Sequence, residues 1–122
     1  MDVVLIGLGG GLGAMMRYGV ARLAQPLGGA SFPAGTLVVN LSGAFVLGFL
    51  ATYLVERTSM PAEWRLGLTV GVLGGYTTFS TFSLETLNLL SEDEWALALA
   101  NVTVSVIACV FLAWAGQTVA RL

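Results

Sequence analysis

The chain has 122 residues, of which 57% are hydrophobic and only 10% are charged, and its formal net charge at pH 7 is -2. Soluble domains carry roughly 25% charged residues, so this composition predicts a membrane protein. The few basic residues form no basic patch, which excludes a nucleic-acid-binding surface. Histidine is absent and Cys109 is the only cysteine, so an internal disulfide and a Cys/His metal centre are excluded as well.

The first apolar run covers residues 3–23, and we interpret it as a retained transmembrane helix. A signal peptide would begin with basic residues, whereas this run follows Asp2. Glycines recur in it at four-residue spacing, which favours the close approach of a neighbouring helix backbone. The pairs are Gly7 with Gly11 and Gly9 with Gly13.

The second apolar run covers residues 33–55 and follows a turn-rich connector at residues 25–32. Pro33 is suited to the first turn of its helix. Asn40 lies near the middle of this run, where an amide without hydrogen-bond partners is costly. We expect Asn40 either to clamp two helices together or to contact a ligand.

The third apolar run covers residues 66–90 and contains the most unusual stretch of the chain, GGYTTFSTFS at residues 74–83. Its paired glycines loosen the helix, and its five serine and threonine hydroxyls supply hydrogen-bond donors. At membrane depth, backbone that leaves the helix is accepted only where it is buried or lines a cavity. We therefore predict that this helix is broken at mid-membrane and that the break is the functional site.

Helical spacing after the break predicts two neighbouring faces. Phe79 and Phe82 lie on one face, and Thr78, Thr81 and Glu85 lie on the next. Phenylalanines at this spacing commonly only pack, but beside a track of hydroxyls they are candidates for lining a pathway. Glu85 is the only acid within an apolar run, and it acts either as a structural group near the helix end or in the pathway.

The fourth apolar run covers residues 95–120 and follows an acidic turn at residues 91–94, which offers a helix N-cap. Ser105 in this run either bonds to its own helix backbone, as serines in such helices often do, or lines a path. In the first run, Arg17 lies deeper than the interfacial Arg22 and either reaches the headgroups or fixes a nearby carbonyl.

Four helices place both termini on one side of the membrane. Three arginines lie on that side and two on the other, which is a weak orientation bias. Insertion in either direction predicts an antiparallel dimer of one sequence. The predicted fold is thus an all-α membrane protein with a single domain of four transmembrane helices, the third of them broken at mid-membrane, assembled as a dual-topology antiparallel homodimer.

Three motifs, in this order, resemble the Fluc (CrcB-type) fluoride channel family. They are Gly9-Gly10-x-x-Gly13-Ala14-x-x-Arg17-Tyr18, Gly35-Thr36-Leu37-x-Val39-Asn40-x-x-Gly43-x-Phe45 and Gly74-Gly75-x-Thr77-Thr78-Phe79-Ser80-Thr81-Phe82. The resemblance covers the whole chain in length, number of helices and order of motifs. It implies a dimer with two pores that lets fluoride leave the cytoplasm passively, in a bacterial cell membrane, around a structural sodium ion held at the dimer interface.

The resemblance also implies roles for individual residues. The family's pore asparagine corresponds to Asn40, and its pore-lining phenylalanines correspond to Phe79 and Phe82. Its hydroxyl track corresponds to Ser80, Thr81 and Ser105. Its sodium ion is bound by main-chain oxygens that correspond to those of Gly74 and Thr77. The supporting residues are then Arg17 and Glu85.

The residues by themselves leave two other functions open. A small multidrug-type exporter has four helices and dual topology, but proton-coupled export of cations needs a carboxylate near the membrane centre, and Glu85 is off-centre. A non-transporting membrane assembly subunit would use the glycines and hydroxyls only to pack helices. An enzyme is not expected, because the sequence offers no nucleophile with a base, no phosphate loop and no metal cluster.

Overall fold

The computed structural model describes residues 1–122 and is entirely helical, with short connections. Three of its helices are long and apolar enough to cross a membrane, namely α1 (Asp2–Ala24), which continues into a 3-10 turn at Gln25–Gly28, α2 (Ala34–Glu56) and α6 (Trp95–Arg121). Together with the interrupted third span, they make four helical spans. The chain is therefore a helical integral membrane protein, as its composition predicts.

The third span is built from several pieces. It begins with the helix α3 (Ala62–Leu66), continues through a π-helical segment (Gly67–Leu73) and the short helix α4 (Gly74–Tyr76), and resumes as α5 (Phe79–Ser91). Between α4 and α5, Thr77 and Thr78 are extended, with φ/ψ of -78°/157° and -151°/119°. The predicted break within residues 74–83 is therefore confirmed.

The start of the third span differs from the prediction, because helix α3 begins at Ala62 and so includes Trp64 and Arg65. The reason lies in Pro61, whose carbonyl oxygen accepts hydrogen bonds from the amides of Trp64 and Arg65 at 3.1 and 3.2 Å. Proline fits a helix start because the first amides of a helix have no helical acceptor. The turn before α6 also differs, since no side chain caps the helix at Glu94.

Glycines set the distance between α1 and the third span, but only one of the two predicted pairs does so. A Cβ atom at Gly9 or Gly13 would collide with the backbone of the π-helical segment, whereas Gly7 and Gly11 face open space. On the opposite side of the contact, Gly75 lies against the backbone of Gly10. Backbones in such direct contact fix the position of the break relative to α1.

We expect Gly13→Ala to destabilise the protein by about 1–3 kcal/mol, the usual cost of overpacking a tight contact. The added methyl group would meet the carbonyl of Val72 and the amide of Tyr76, two backbone groups that cannot move without shifting α4. Gly11→Ala is the matched control, because the same helix has open space there. Thermal unfolding in detergent should show a lower midpoint for Gly13→Ala alone; equal midpoints would contradict this packing.

The other long contact joins α2 to α6. Gly48 lies against the backbone of Ala113, and Gly116 lies against the backbone of Phe45. At the end of this pair, Arg121 forms an ion pair with Glu56 at 3.1 Å. Helices α1 and α6 thus both pack against α2. The break in the third span contacts the N-terminal half of α2, where Asn40 is located.

Candidate functional site

Asn40 holds the break in the third span. Its Nδ2 donates to the carbonyl oxygen of Thr78 at 2.9 Å, and its Oδ1 accepts from the amide of Thr78 at 2.8 Å. The backbone N–H and C=O of the extended residue Thr78 are thereby satisfied without helical hydrogen bonds, which is the condition for broken backbone at membrane depth. The side chain therefore acts as a clamp, which is one of the two roles expected for it, and one amide hydrogen is left for another acceptor.

Thr78 also starts the helix that follows the break. Its Oγ1 accepts from the amide of Thr81 at 3.2 Å and so caps α5. The same oxygen lies 3.0 Å from the hydroxyl of Thr81 and 3.4 Å from that of Ser80. The hydroxyls of residues 78, 80 and 81 therefore form one cluster around the first turn of α5, in which Ser80 is exposed.

The break removes the helical donors of four carbonyl oxygens, those of residues 74–77, which include Gly74 and Thr77. In an unbroken helix the amide of residue i+4 donates to the carbonyl of residue i. For Gly74 that amide belongs to Thr78 and donates to Asn40 instead. For Thr77 it belongs to Thr81 and donates to the Thr78 hydroxyl instead. The two main-chain oxygens that the resemblance assigns to sodium are therefore ones that lose their helical donors.

An apolar cavity of about 350 Å³ lies on one side of the break, between α2, α5 and α6. Phe82 is buried beside it, and Phe79 is 77% exposed, with the two ring centroids 5.4 Å apart and the ring planes at 47°. Ser105 is buried, lines the same cavity and forms no hydrogen bond to its own helix. The remaining lining is Asn40, Ala44, Leu47, Thr77, Thr78, Val106, Cys109 and Val110.

A polar cavity of about 460 Å³ lies on the other side of the break, between α1, α2 and α5. Arg17 and Arg22 line it from α1, and Glu85 lines it from α5. The Oε1 atom of Glu85 accepts a hydrogen bond of 2.7 Å from the hydroxyl of Thr36, whereas its buried Oε2 atom has no partner in the chain. Glu85 makes no ion pair with either arginine, so both guanidinium groups remain available to an anion.

Thr78 lines both cavities and lies between them. Asn40 and the phenylalanines lie on the apolar side, whereas Thr81, Arg17 and Glu85 lie on the polar side. Most of the residues singled out in the sequence thus line one or the other of these two cavities. Ser80 does not, because its exposed hydroxyl lines neither cavity.

Sequence reasoning placed Thr78 on the polar face but missed its central role. The signal was present, since a threonine between extended backbone and a helix is a favoured N-cap. Thr36 was also missed as the partner of Glu85, because the two residues are 49 positions apart. In the fourth helix, Asn101 is buried and donates to Thr86 at 3.0 Å, so it fastens α6 to α5 beside the cavities.

Four helical spans, an interrupted third span and two cavities that flank the interruption are features of a small membrane channel or transporter. The chain belongs to a particular family of this type. The family model described as CrcB-like protein, Camphor Resistance (CrcB), matches residues 4–117. This match confirms the family that the three sequence motifs resemble.

Curated relatives extend over nearly the whole chain. A protein of Coxiella burnetii is 46% identical over 122 residues, covering 99% of this chain and 98% of the relative. One from a Geobacter species is 46% identical over 120 residues, covering 98% and 97%. One from Magnetococcus marinus is 44% identical over 122 residues, covering 100% and 99%. Each is named fluoride-specific ion channel FluC. The relatives are thus channels and not enzymes, in agreement with the sequence prediction.

Proposed function

We propose that this protein is a passive fluoride-selective ion channel that lets fluoride leave the cytoplasm of a bacterial cell. The observation that carries the proposal is the arrangement at Thr78, which lies between a cavity lined by two arginines and a cavity lined by Asn40, Ser105 and the two phenylalanines. The names of the relatives supply the ion, since the geometry by itself favours a small anion without naming one.

The chemistry of the apolar cavity suits fluoride. Fluoride only accepts hydrogen bonds, so its path must offer donors. Asn40 retains one amide hydrogen, and the hydroxyl of Ser105 has no partner in the chain. The apolar cavity has no carboxylate in its lining that would repel an anion. The positive edges of the Phe79 and Phe82 rings can attract the anion, while the rings exclude bulk water.

A structural sodium ion is part of the proposal. Sodium is a hard monovalent cation, and neutral carbonyl oxygens suit it. The carbonyls of Gly74 and Thr77 fit this role because neither keeps its helical donor. Each chain supplies two such oxygens, so two chains related by two-fold symmetry would supply four. The sodium ion would then join the two chains and fix the break, without moving with fluoride.

The proposed assembly is an antiparallel dual-topology homodimer with two pores. The weak arginine bias supports insertion in both directions. The exposure of Phe79 supports a second chain as well, because a ring that is 77% exposed closes the path only when something covers it. In this arrangement the apolar cavity of each chain becomes one pore.

Fluoride efflux from liposomes tests the proposed function. Purified protein is reconstituted, external salt is exchanged, and a fluoride electrode follows release after a potassium ionophore sets the voltage. We expect rapid fluoride release with no chloride release and no loss of a trapped cationic dye. Release of the dye alone would indicate a multidrug-type exporter, and no release of any solute would indicate a non-transporting subunit.

A main-chain role for Thr77 predicts that Thr77→Ser has a small effect, within about twofold in fluoride efflux. Serine retains the hydroxyl that donates to the carbonyl of Leu73 at 2.9 Å. It loses the methyl group that packs against Gly43, a loss of roughly 1 kcal/mol in stability. Efflux and thermal unfolding should be measured on the same preparation. A large drop in efflux at unchanged stability would contradict the main-chain assignment.

A further inference from the structure

A buried tyrosine fastens the last turn before the break to α2. Tyr76, the final residue of α4, is only 8% exposed, and its hydroxyl oxygen lies 2.9 Å from Oγ of Ser42. The direction of this hydrogen bond follows from the other bond of Ser42. Its hydroxyl donates to the carbonyl of Val38 at 2.7 Å, and a carbonyl can only accept. Because the single proton of Ser42 is directed at the backbone carbonyls of its own helix, we assign Tyr76 as the donor of the bond between the two side chains.

Helix α2 thus holds the break on both of its sides. Asn40 bonds the peptide groups of Thr78 after the break, and Ser42 bonds the side chain of Tyr76 before it. Gly43, the residue after Ser42, lies directly against the methyl group of Thr77 and the ring of Tyr76, so that a side chain at Gly43 would collide with both. One turn of α2 therefore sets the path of the chain through the whole interruption.

The carbonyls proposed to bind sodium lie on either side of Tyr76. Gly74 begins α4, and Thr77 follows Tyr76 directly. A cation held by main-chain oxygens depends on their separation, and neither oxygen has a helical hydrogen bond to fix its direction. Residues 62–76 form one continuous helical stretch, and its last turn at the break would fray unless another contact held it. The hydroxyl of Tyr76 makes such a contact.

We propose that Tyr76, through Ser42, is a positioning residue for the cation site. It sets the spacing of the Gly74 and Thr77 carbonyl oxygens without touching the ion, and so determines how tightly and how selectively a monovalent cation binds. The proposal rests on the sodium site of the proposed function. It goes beyond the proposed function because it makes the cation affinity depend on two side chains, Tyr76 and Ser42, that do not themselves bind the ion.

Tyr76→Phe isolates this hydrogen bond. The variant removes one oxygen atom and retains the ring against Gly43, and Ser42 still donates to Val38, so no donor loses its partner. Ser42→Ala removes the acceptor instead, and because Ser42 is exposed it leaves no cavity. Tyr53→Phe is the matched control, since the hydroxyl of this exposed tyrosine on α2 bonds to no protein group, and its ring stacks on Phe49.

The experiment measures cation binding apart from conduction. Purified protein is unfolded thermally over a series of sodium concentrations, with N-methylglucamine replacing sodium, and the series is repeated with lithium and potassium. We expect Tyr76→Phe and Ser42→Ala each to raise the half-stabilising sodium concentration roughly 2- to 10-fold, the effect of one hydrogen bond. We also expect a changed preference among the three cations, which a general loss of stability would not produce. Tyr53→Phe should match the unsubstituted protein.

The double variant tests whether the two residues act through one bond. Tyr76→Phe combined with Ser42→Ala should weaken sodium binding no more than either change alone. Additive effects, or a Tyr76→Phe protein with unchanged sodium affinity and cation preference, would overturn the inference. Fluoride efflux by the unsubstituted protein distinguishes a failure of this inference from a failure of the proposed function. A protein that conducts fluoride but is not stabilised by sodium overturns the sodium site together with this inference, and one that does not conduct overturns the proposed function.

Discussion

Asn40→Asp is expected to reduce fluoride efflux at least about 100-fold while leaving the protein folded. A carboxylate can still accept from the amide of Thr78, but it cannot donate to the carbonyl of Thr78 as Nδ2 does. It also places a negative charge beside the apolar cavity. At roughly 4 Å and an effective dielectric constant of about 20, the repulsion of an anion is about 4 kcal/mol, or nearly 1,000-fold in rate. Electrode-monitored efflux from liposomes measures the loss.

Asn88→Asp is the matched control for this prediction. Asn88 is exposed near the end of α5 and lines neither of the two cavities that Thr78 lines. The same chemical change there should therefore leave efflux within about twofold of normal. Size-exclusion elution and thermal unfolding show whether both variants retain their assembly. Normal efflux in a folded Asn40→Asp protein would remove Asn40 from the fluoride path.

The break in the third span was predictable because its causes are local. Paired glycines and a cluster of hydroxyls within residues 74–83 cannot remain a regular helix in lipid without partners, and helical spacing alone puts Phe79 and Phe82 on one face. The ring contact and the hydroxyl cluster of α5 follow directly from these local rules. The family resemblance rests on the same residues and is confirmed by the family match.

The partners that hold the break were not predictable in the same way. Asn40 and Thr78 are 38 positions apart, and Ser42 and Tyr76 are 34 apart, so no periodicity connects them. Only the packing of α2 against the third span brings them together. The sequence indicated that Asn40 must bond to something, but the choice between a clamp and a ligand contact depended on three-dimensional placement.

Glycine spacing likewise could not predict which glycines contact a neighbouring helix. The four-residue spacing of Gly7 with Gly11 is identical to that of Gly9 with Gly13, yet only the second pair meets a neighbouring backbone. The π-helical segment Gly67–Leu73 was not predicted either. Such a segment changes the number of residues per turn, and it is the part of the third span that Gly9 and Gly13 of α1 contact.

Phe82→Ile is the second change with a large expected effect, at least about tenfold in fluoride efflux, which corresponds to roughly 1.4 kcal/mol in the barrier. Isoleucine fills much of the buried space, but it has no ring edge with positive charge to face an anion and no ring to pack on Phe79. The loss of the aromatic contact should cost about 1 kcal/mol in stability. Efflux should therefore fall far more than thermal stability does.

Phe111→Ile separates the role of the ring edge from the general effect of replacing an aromatic residue. Phe111 lies on α6, is 58% exposed and contacts the ring of Trp114 at 5.6 Å, away from both cavities. Its replacement should leave fluoride efflux within about twofold of normal, because it changes lipid-facing surface only. If both variants lower efflux equally, the effect belongs to bilayer packing. If Phe82→Ile conducts normally, fluoride does not pass the paired rings, and the path through the apolar cavity is wrong.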